Sequence, residues 1–140
     1  MICAYTDGAS RGNPGRAASG FMIFRDDQKI SEDFVHIGIA TNNEAEYMAL
    51  MMAMNAVRDM NTAEDVTFFS DSELLIKQLT GLYRVRSDRI RKLYDAIKEL
   101  ETELPNAQIH YKNLRREDER ISAVDRRLNV LLDSLRREGL

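Results

Sequence analysis

Four acidic residues could take part in catalysis through their carboxylate groups. They are Asp7, Glu46, Asp71 and Asp125. Taken alone, each has an ordinary structural explanation: a turn, a helix dipole or a helix cap. Brought together at one edge of a sheet, however, they would repel one another and raise each other's pKa values. Bound divalent cations would remove that cost, so the four acids are candidate metal ligands.

The donor set favours hard cations. Carboxylate oxygens suit Mg²⁺, with Mn²⁺ as a substitute, and a single cysteine with two histidines offers no typical zinc set. Two such ions about 3.5–4 Å apart would clamp the attacking water and the leaving oxygen of a phosphodiester. Ligand sites in open α/β sheets lie beyond the carboxyl ends of strands. Asp7 and Asp71 would therefore meet if the strands before them are parallel neighbours.

The hydrophobic pattern predicts the elements that would position these acids. Strands are expected over 2–6, 20–25, 30–39, 66–70 and 107–113. Helices are expected over 43–60, over 72–79, over 87–104 before Pro105, and from Ile121 to Leu135. Residues 8–15 are expected to form a loop. A hairpin followed by β-α-β units indicates an α/β fold with a mixed five-stranded sheet and helices packed on it.

The helix predicted over 43–60 carries several methionines. Met48, Met52 and Met60 follow a helical stripe and are expected to pack on the sheet. Met51 and Met54 fall off that stripe, so they are expected to contact another helix or solvent. Thr41 and Glu44 form a capping box, which assigns Glu44 to the helix start rather than to the acid cluster.

Composition limits the class of protein. The 140 residues are 44% hydrophobic and 31% charged, which is typical of one globular domain over 1–140. No apolar run is long enough to span a membrane, and the first residues show no signal peptide. With one cysteine, a reducing cytoplasm is the expected location, and we expect a monomer. The net charge of −3 does not indicate a nucleic-acid partner, but local charge decides such binding.

Three segments resemble motifs of type 1 ribonuclease H, in the family's order and across essentially the whole chain. They are YTDGASRGNPG at 5–15, TNNEAEY at 41–47 and SDSE at 70–73. The resemblance implies a ribonuclease H-like fold, with helices on both faces of the mixed sheet. It also implies metal-dependent endonucleolytic cleavage of the RNA strand of RNA/DNA hybrids, leaving a 5′-phosphate and a 3′-hydroxyl. The chain is similar to the shorter, archaeal-like members without a basic handle, some of which also cut double-stranded RNA; that activity is left open.

The resemblance also assigns residues by motif position. Asp7, Glu46 and Asp71 would be catalytic metal ligands, and Asp125 would be the fourth acid. A second set would lie along the hybrid, where contacts to the 2′-hydroxyl distinguish RNA from DNA. That set is Gly8, Ser10, Arg11, Gly12, Asn13, Thr41, Asn42, Asn43, Ser72 and Glu73.

The chain departs from the better-known bacterial pattern in three places. Glu73 stands where many members have Gln, and an ionised Glu accepts hydrogen bonds without donating them. The segment 113–120 contains no histidine, although many members carry one there; Arg116, Glu117 or Glu119 are candidate substitutes. The acid motif at 120–125 is RISAVD rather than Asn-x-x-Ala-Asp.

Two alternatives remain open at this point. One is another nuclease of the same superfamily, resolvase-like or exonuclease-like, against which the motifs at 5–15 and 41–47 argue. The other is a catalytically silent nucleic-acid-binding module, against which the presence of all four acids argues. Two basic stretches, at 84–92 and 115–127, are candidates for phosphate contact in either case, and the first is favoured.

Overall fold

A computed structural model describes residues 1–104 and 108–137, with side chains to 134 in the last helix. Five strands form one sheet in the order β3-β2-β1-β4-β5. The strands are β1 (Ile2–Ser10), β2 (Gly15–Arg25), β3 (Gln28–Ala40), β4 (Val66–Ser70) and β5 (Ile109–Asn113). The helices are α1 (Asn42–Asp59), α2 (Glu73–Leu79), α3 (Asp88–Thr102) and α4 (Glu119–Arg137). Within the described ranges, no helix has the length and apolar character needed to cross a membrane.

The sheet is mixed, as predicted. β1 runs antiparallel to β2 and parallel to β4, and β4 runs parallel to β5. The condition under which Asp7 and Asp71 would meet, that the strands before them are parallel neighbours, is therefore fulfilled. The predicted helix stop at Pro105 and strand start at Ala107 lie outside the described residues.

Helices cover both faces of the sheet, which confirms the predicted architecture. On one face, α1, α2 and α3 bury the alternating residues of β1 and β4 represented by Ile2, Ala4 and Phe68. On the other face, α4 packs Ile121 and Leu128 against the opposite side of β1 and β2. Successive side chains of a central strand point to opposite faces of the sheet, so each strand contributes apolar residues to both of the layers.

Half of the loop predicted over 8–15 is strand. β1 continues through Gly8 to Ser10, which pairs with Ala17, and β2 begins at Gly15 rather than at Gly20. Only four residues, 11–14, turn the chain. This extension could not be predicted from the sequence, because small residues and glycine have weak strand propensity. In the structure these residues allow a helix to approach the sheet closely.

The methionine prediction for α1 fails at Met48, which is only half-buried although it was expected to pack on the sheet. Met54 is fully buried in the layer that α1 shares with α3, which is the helix contact given as one of its two expected outcomes. The helix packs against α3 as well as the sheet, so its buried surface is rotated and wider than a one-sided stripe. Met51, Met52 and Met60 lie partly buried at the margin of this layer.

Candidate active site

The strand pairing brings Asp7 and Asp71 to the same level of the sheet. The parallel pairing of β1 with β4 ends at Tyr5 and Phe69, and each acid follows two residues later. Asp7 lies within β1, opposite Gly20 of β2, rather than at the strand end that the sequence indicated. Its side chain is 5% exposed.

Gly8 allows α1 to lie close to β1, which brings Glu46 near Asp7. A Cβ at Gly8 would lie 2.3 Å from the carbonyl carbon of Ala45 and 2.5 Å from the nitrogen of Glu46. Any side chain there would push α1 off β1, so only glycine allows this contact. The Ser19 hydroxyl fixes the same point by donating to the Ala45 carbonyl at 2.6 Å. This contact carries Glu46 alongside Asp7.

Asp7, Glu46 and Asp71 form a compact acid cluster. One carboxylate oxygen from each lies within 4.8 Å of the other two, and such a set could hold a metal ion. Asp125 lies on α4, which covers the opposite face of the sheet from α1, and it lines the same cavity of about 240 Å³. The structure therefore brings together all four acids singled out in the sequence.

Burial and mutual repulsion act on the acid cluster. Desolvation, followed by the charges of Asp71, Glu46 and Asp125, raises the pKa of Asp7 from its usual 3.8 to about 9. Desolvation raises the pKa of Glu46 to about 7, with a hydrogen bond from Ser72 opposing it. The pKa of Asp71 is also raised by burial, against the effect of Arg116. A site of this kind favours protons or cations over bare carboxylates.

Other residues perform the capping roles considered for these acids. The capping box of Thr41 and Glu44 is confirmed, with the Glu44 amide donating to the Thr41 hydroxyl at 3.1 Å. Ser72, not Asp71, caps α2 by accepting from the Leu75 amide at 3.1 Å. At α4, a carboxylate oxygen of Asp118 accepts from the Ile121 amide at 3.0 Å.

The donor set fits divalent cations. Three carboxylates converge, each with its pKa raised, and hard oxygen ligands suit Mg²⁺ or Mn²⁺. Bound cations would offset the repulsion that burial otherwise leaves in the cluster.

A second cavity continues from the acid cluster. It occupies about 470 Å³ and shares Glu46 and Asn42 with the first. Its lining includes five residues expected to contact nucleic acid, which are Asn13, Thr41, Asn42, Asn43 and Ser72. The two cavities form one groove, which we call the acid groove, running from Asp125 past α1 to the start of α3.

The turn between β1 and β2 is fixed against α1. The Ser10 amide donates to the Asn42 side chain at 2.8 Å, and the Asn42 amide donates to the Asn13 side chain at 3.2 Å. The turn glycine Gly12 has φ 134°, a conformation that favours glycine. These contacts hold the polar groups of the turn at the rim of the acid groove.

Two expected nucleic-acid contacts have partners within the chain. Arg11 forms an ion pair with Asp133 at 2.9 Å and donates to the Asn129 side chain at 3.0 Å. Glu73 is exposed and pairs with Lys77 one turn along α2. Neither residue lines the two cavities of the acid groove.

The sequence did not indicate that Ser87 belongs to the site, and it gave Arg116 only as one of three candidate substitutes for the missing histidine. Ser87 lines the acid groove while capping α3. Arg116 lines the acid cavity, with its Nε 3.9 Å from Asp71, and its side chain is 83% exposed. The serine-cap pattern predicts a helix start but not its position beside another helix. His36 and His110 lie on β3 and β5, and both are exposed.

Both basic stretches contain arginines that are paired within the chain. In the second stretch, Arg120 pairs with Asp27 at 3.0 Å, and Arg127 pairs with Glu32 at 2.8 Å. In the first stretch, Arg89 pairs with Glu44 at 3.7 Å, and Arg91 pairs with Asp95 at 3.9 Å. The other arginines of the first stretch, Arg84 and Arg86, are exposed immediately before Ser87, so they remain candidates for phosphate contact.

Carboxylates that converge beside two parallel strands of a mixed sheet are a donor set of the kind that can hold the divalent ions used in phosphodiester hydrolysis. The chain matches the family model of RNase H over residues 1–123. It belongs to the RNase H family.

Curated relatives agree with this assignment. The chain is 38% identical over 140 residues to the ribonuclease HI of Halobacterium salinarum, covering 99% of this chain and 64% of that protein. It is 36% identical over 90 residues to the bifunctional protein Rv2228c of Mycobacterium tuberculosis, covering 63% of this chain and 24% of that protein. The chain therefore spans 64% of the length of the first relative and 24% of the length of the second.

Solved structures share the fold. The crystal structure of RNase H1 from Halobacterium salinarum has a TM-score of 0.81 and 37% identity, covering 95% of this chain and 98% of that one. LC11-RNase H1, isolated from compost by a metagenomic approach, has a TM-score of 0.88 and 31% identity, covering 96% and 97%. A crystal structure of LC11-RNase H1 in complex with an RNA/DNA hybrid has a TM-score of 0.80 and 28% identity, covering 94% and 99%.

Proposed function

We propose that this protein is a ribonuclease H that hydrolyses the RNA strand of RNA/DNA hybrids with two divalent metal ions. The acid cluster of Asp7, Glu46 and Asp71 within an RNase H fold is the observation that carries the proposal. The resemblance of the chain to a protein solved with such a hybrid supports the substrate.

The carboxylates supply the metal ligands. Asp7, Glu46 and Asp71 hold the ions, and Asp125 is the fourth acid, because it lines the same cavity. Bound there, Mg²⁺, or Mn²⁺ in its place, would supply an activated water and charge stabilisation for the leaving oxygen. In the proposed hydrolysis a bond would form between the water oxygen and phosphorus while the bond from phosphorus to the 3′-oxygen breaks. The proton lost by the water balances the proton taken up by the 3′-oxygen. The products are a 5′-phosphate and a 3′-hydroxyl.

The rim of the acid groove positions the hybrid. Asn42 and Asn13 are held by backbone contacts, so they present polar groups at fixed places beside the acids. Gly8 lines the acid cavity, so its backbone lies beside the proposed path of the sugar-phosphate chain. Contacts of this kind recognise the 2′-hydroxyl rather than base edges, so cleavage should show little sequence preference.

The test is cleavage of one labelled RNA strand annealed to DNA or to RNA, with Mg²⁺, Mn²⁺ or EDTA. We expect the hybrid to be cut with either metal, and the RNA duplex defines the breadth of the substrate range. Asp71→Asn should abolish cutting while retaining hybrid binding, and Asp125→Asn should reduce cutting. Glu44→Gln is the matched control, because Glu44 belongs to the capping box and not to the cluster.

Two outcomes would contradict the proposal. Full activity of Asp71→Asn would remove the metal-ligand assignment. A folded wild-type protein that binds the hybrid but never cuts it would indicate a silent binding module instead.

A further inference from the structure

A buried amide connects the helix of Glu46 to the exposed arginines beside the acid groove. Gln78 on α2 is 6% exposed. Its Oε1 accepts a hydrogen bond from the Tyr47 hydroxyl at 2.6 Å, and its Nε2 donates to the Arg84 carbonyl at 3.3 Å. Tyr47 is fully buried and follows Glu46 on α1.

A buried amide at this position destabilises the fold unless its polar atoms are hydrogen-bonded. The other buried residues of α2 are Leu75, Ile76 and Leu79. A methionine would fill a similar volume without that requirement. The amide of Gln78 uses both its acceptor and its donor, and the donor goes to backbone outside the helix.

The backbone that receives this bond is the segment 84–86 between α2 and α3. Its neighbouring carbonyl, on Val85, accepts from the Arg91 side chain at 3.3 Å, and the Val85 side chain packs against the core. Side chains thus hold the segment at two successive carbonyls. Arg84 and Arg86 are exposed, and Ser87, which comes next, lines the acid groove.

We propose that Gln78 is a positioning residue for hybrid binding: it holds the segment 84–86 so that Arg84 and Arg86 contact phosphates of the duplex beside the acid groove. The inference rests on the proposed function. Because Tyr47 and Glu46 are consecutive on α1, the hydrogen bonds of Gln78 also set the distance between these arginines and the acid cluster. Loss of the bonds should therefore weaken hybrid binding and leave the chemical step intact.

The test separates KM from kcat in two variants. Gln78→Met keeps the volume and removes both hydrogen bonds, and Tyr47→Phe removes only the hydroxyl that orients the amide. We expect the KM for the hybrid to rise about three- to tenfold in Gln78→Met, and less in Tyr47→Phe, with kcat unchanged. The slope of log KM against log salt should fall by up to about two, since each phosphate contact contributes about 0.9.

Tyr111 offers a chemically matched control in the same core layer, because its hydroxyl bonds to α3 rather than to Gln78. The Tyr111 hydroxyl on β5 donates to Glu101 of α3 at 2.6 Å, so Tyr111→Phe also removes one internal tyrosine hydroxyl bond. It should leave KM and the salt slope unchanged. Combining Gln78→Met with Arg84→Ala and Arg86→Ala should raise KM no further than the arginine variants alone, because Gln78 acts through them.

Three results would overturn the inference: an unchanged KM in Gln78→Met, an equal rise in Tyr111→Phe, or additivity with the arginine variants. Hybrid affinity measured by fluorescence anisotropy in the Asp71→Asn background gives an answer independent of cleavage. If the wild type failed to cut, the proposed function would fail, while weaker binding in Gln78→Met would still support the positioning role.

Discussion

The repulsion in the acid cluster makes a quantitative prediction about stability. Asp7→Asn should stabilise the metal-free protein, because asparagine resembles the protonated carboxyl, which is the form that the site favours. The change keeps an oxygen to accept from the Gly8 amide, now 3.0 Å from Asp7. It also keeps a donor for the neighbouring Asp71.

The size of the effect follows from linkage. The carboxyl of Asp7 has a pKa of about 9 in the folded protein and about 3.8 when unfolded. Between these values the folded state holds a proton that the unfolded state has lost, so stability falls as pH rises. From pH 3.8 to pH 7, at about 1.36 kcal/mol per unit, the loss is about 4 kcal/mol. Asp7→Asn should recover up to that amount at pH 7, equivalent to roughly 10 °C in Tm, and almost nothing below pH 3.8.

Thermal unfolding in EDTA at several pH values between 3.5 and 8.5 measures this. The gain of Asp7→Asn over the wild type should grow with pH, whereas Asp95→Asn, an exposed acid on α3, should show no such trend. Adding Mg²⁺ should raise the Tm of the wild type more at high pH, since metal binding displaces protons, and should affect the variant little. A gain that is the same at every pH, or no gain at pH 7, would refute the reasoning.

Three further predictions concern how the site is built and packed. Gly8→Ala should lose more than about 2 kcal/mol of stability in urea unfolding, because its Cβ would overlap the backbone of α1, and overpacked sites relax at such a cost. In cleavage assays Glu46→Gln should lose activity while Glu44→Gln stays near wild type; an equal loss would place Glu44 in the site. Met54→Ala should cost about 2–5 kcal/mol in the same unfolding assay and the half-buried Met48→Ala clearly less, and equal costs would contradict the observed burial.

Features set by local chemistry could be predicted from the sequence. The strand before Asp71 has the predicted bounds, because a compact apolar run between polar residues defines it. The capping box of Thr41 and Glu44 is also local, since it needs only one helical turn. The pairing of β1 with β4 was only a condition in the sequence analysis, and the structure fulfils it.

Features set by tertiary contact could not be predicted in the same way. Gly8 to Ser10 look like a loop in isolation, and they are strand because β2 pairs with them and α1 covers them. Met54 is buried because α3 covers a flank of α1, which no single-helix pattern reveals. Ser87 enters the acid groove only because α3 starts beside α1.

The capping arrangement explains why acids with ordinary structural explanations are free for chemistry. An acid beside a helix start can accept hydrogen bonds from the free backbone amides of the first turn. The oxygen lone pairs that accept these bonds are then not available to a metal ion. In this chain a nearby residue takes each cap: Ser72 next to Asp71, Thr41 with Glu44 before Glu46, and Asp118 one turn or more before Asp125. Of these caps, only that of Thr41 and Glu44 was predicted from the sequence. The structure shows the caps by Ser72 and Asp118, and together the three caps leave Asp71, Glu46 and Asp125 free for a role in the site.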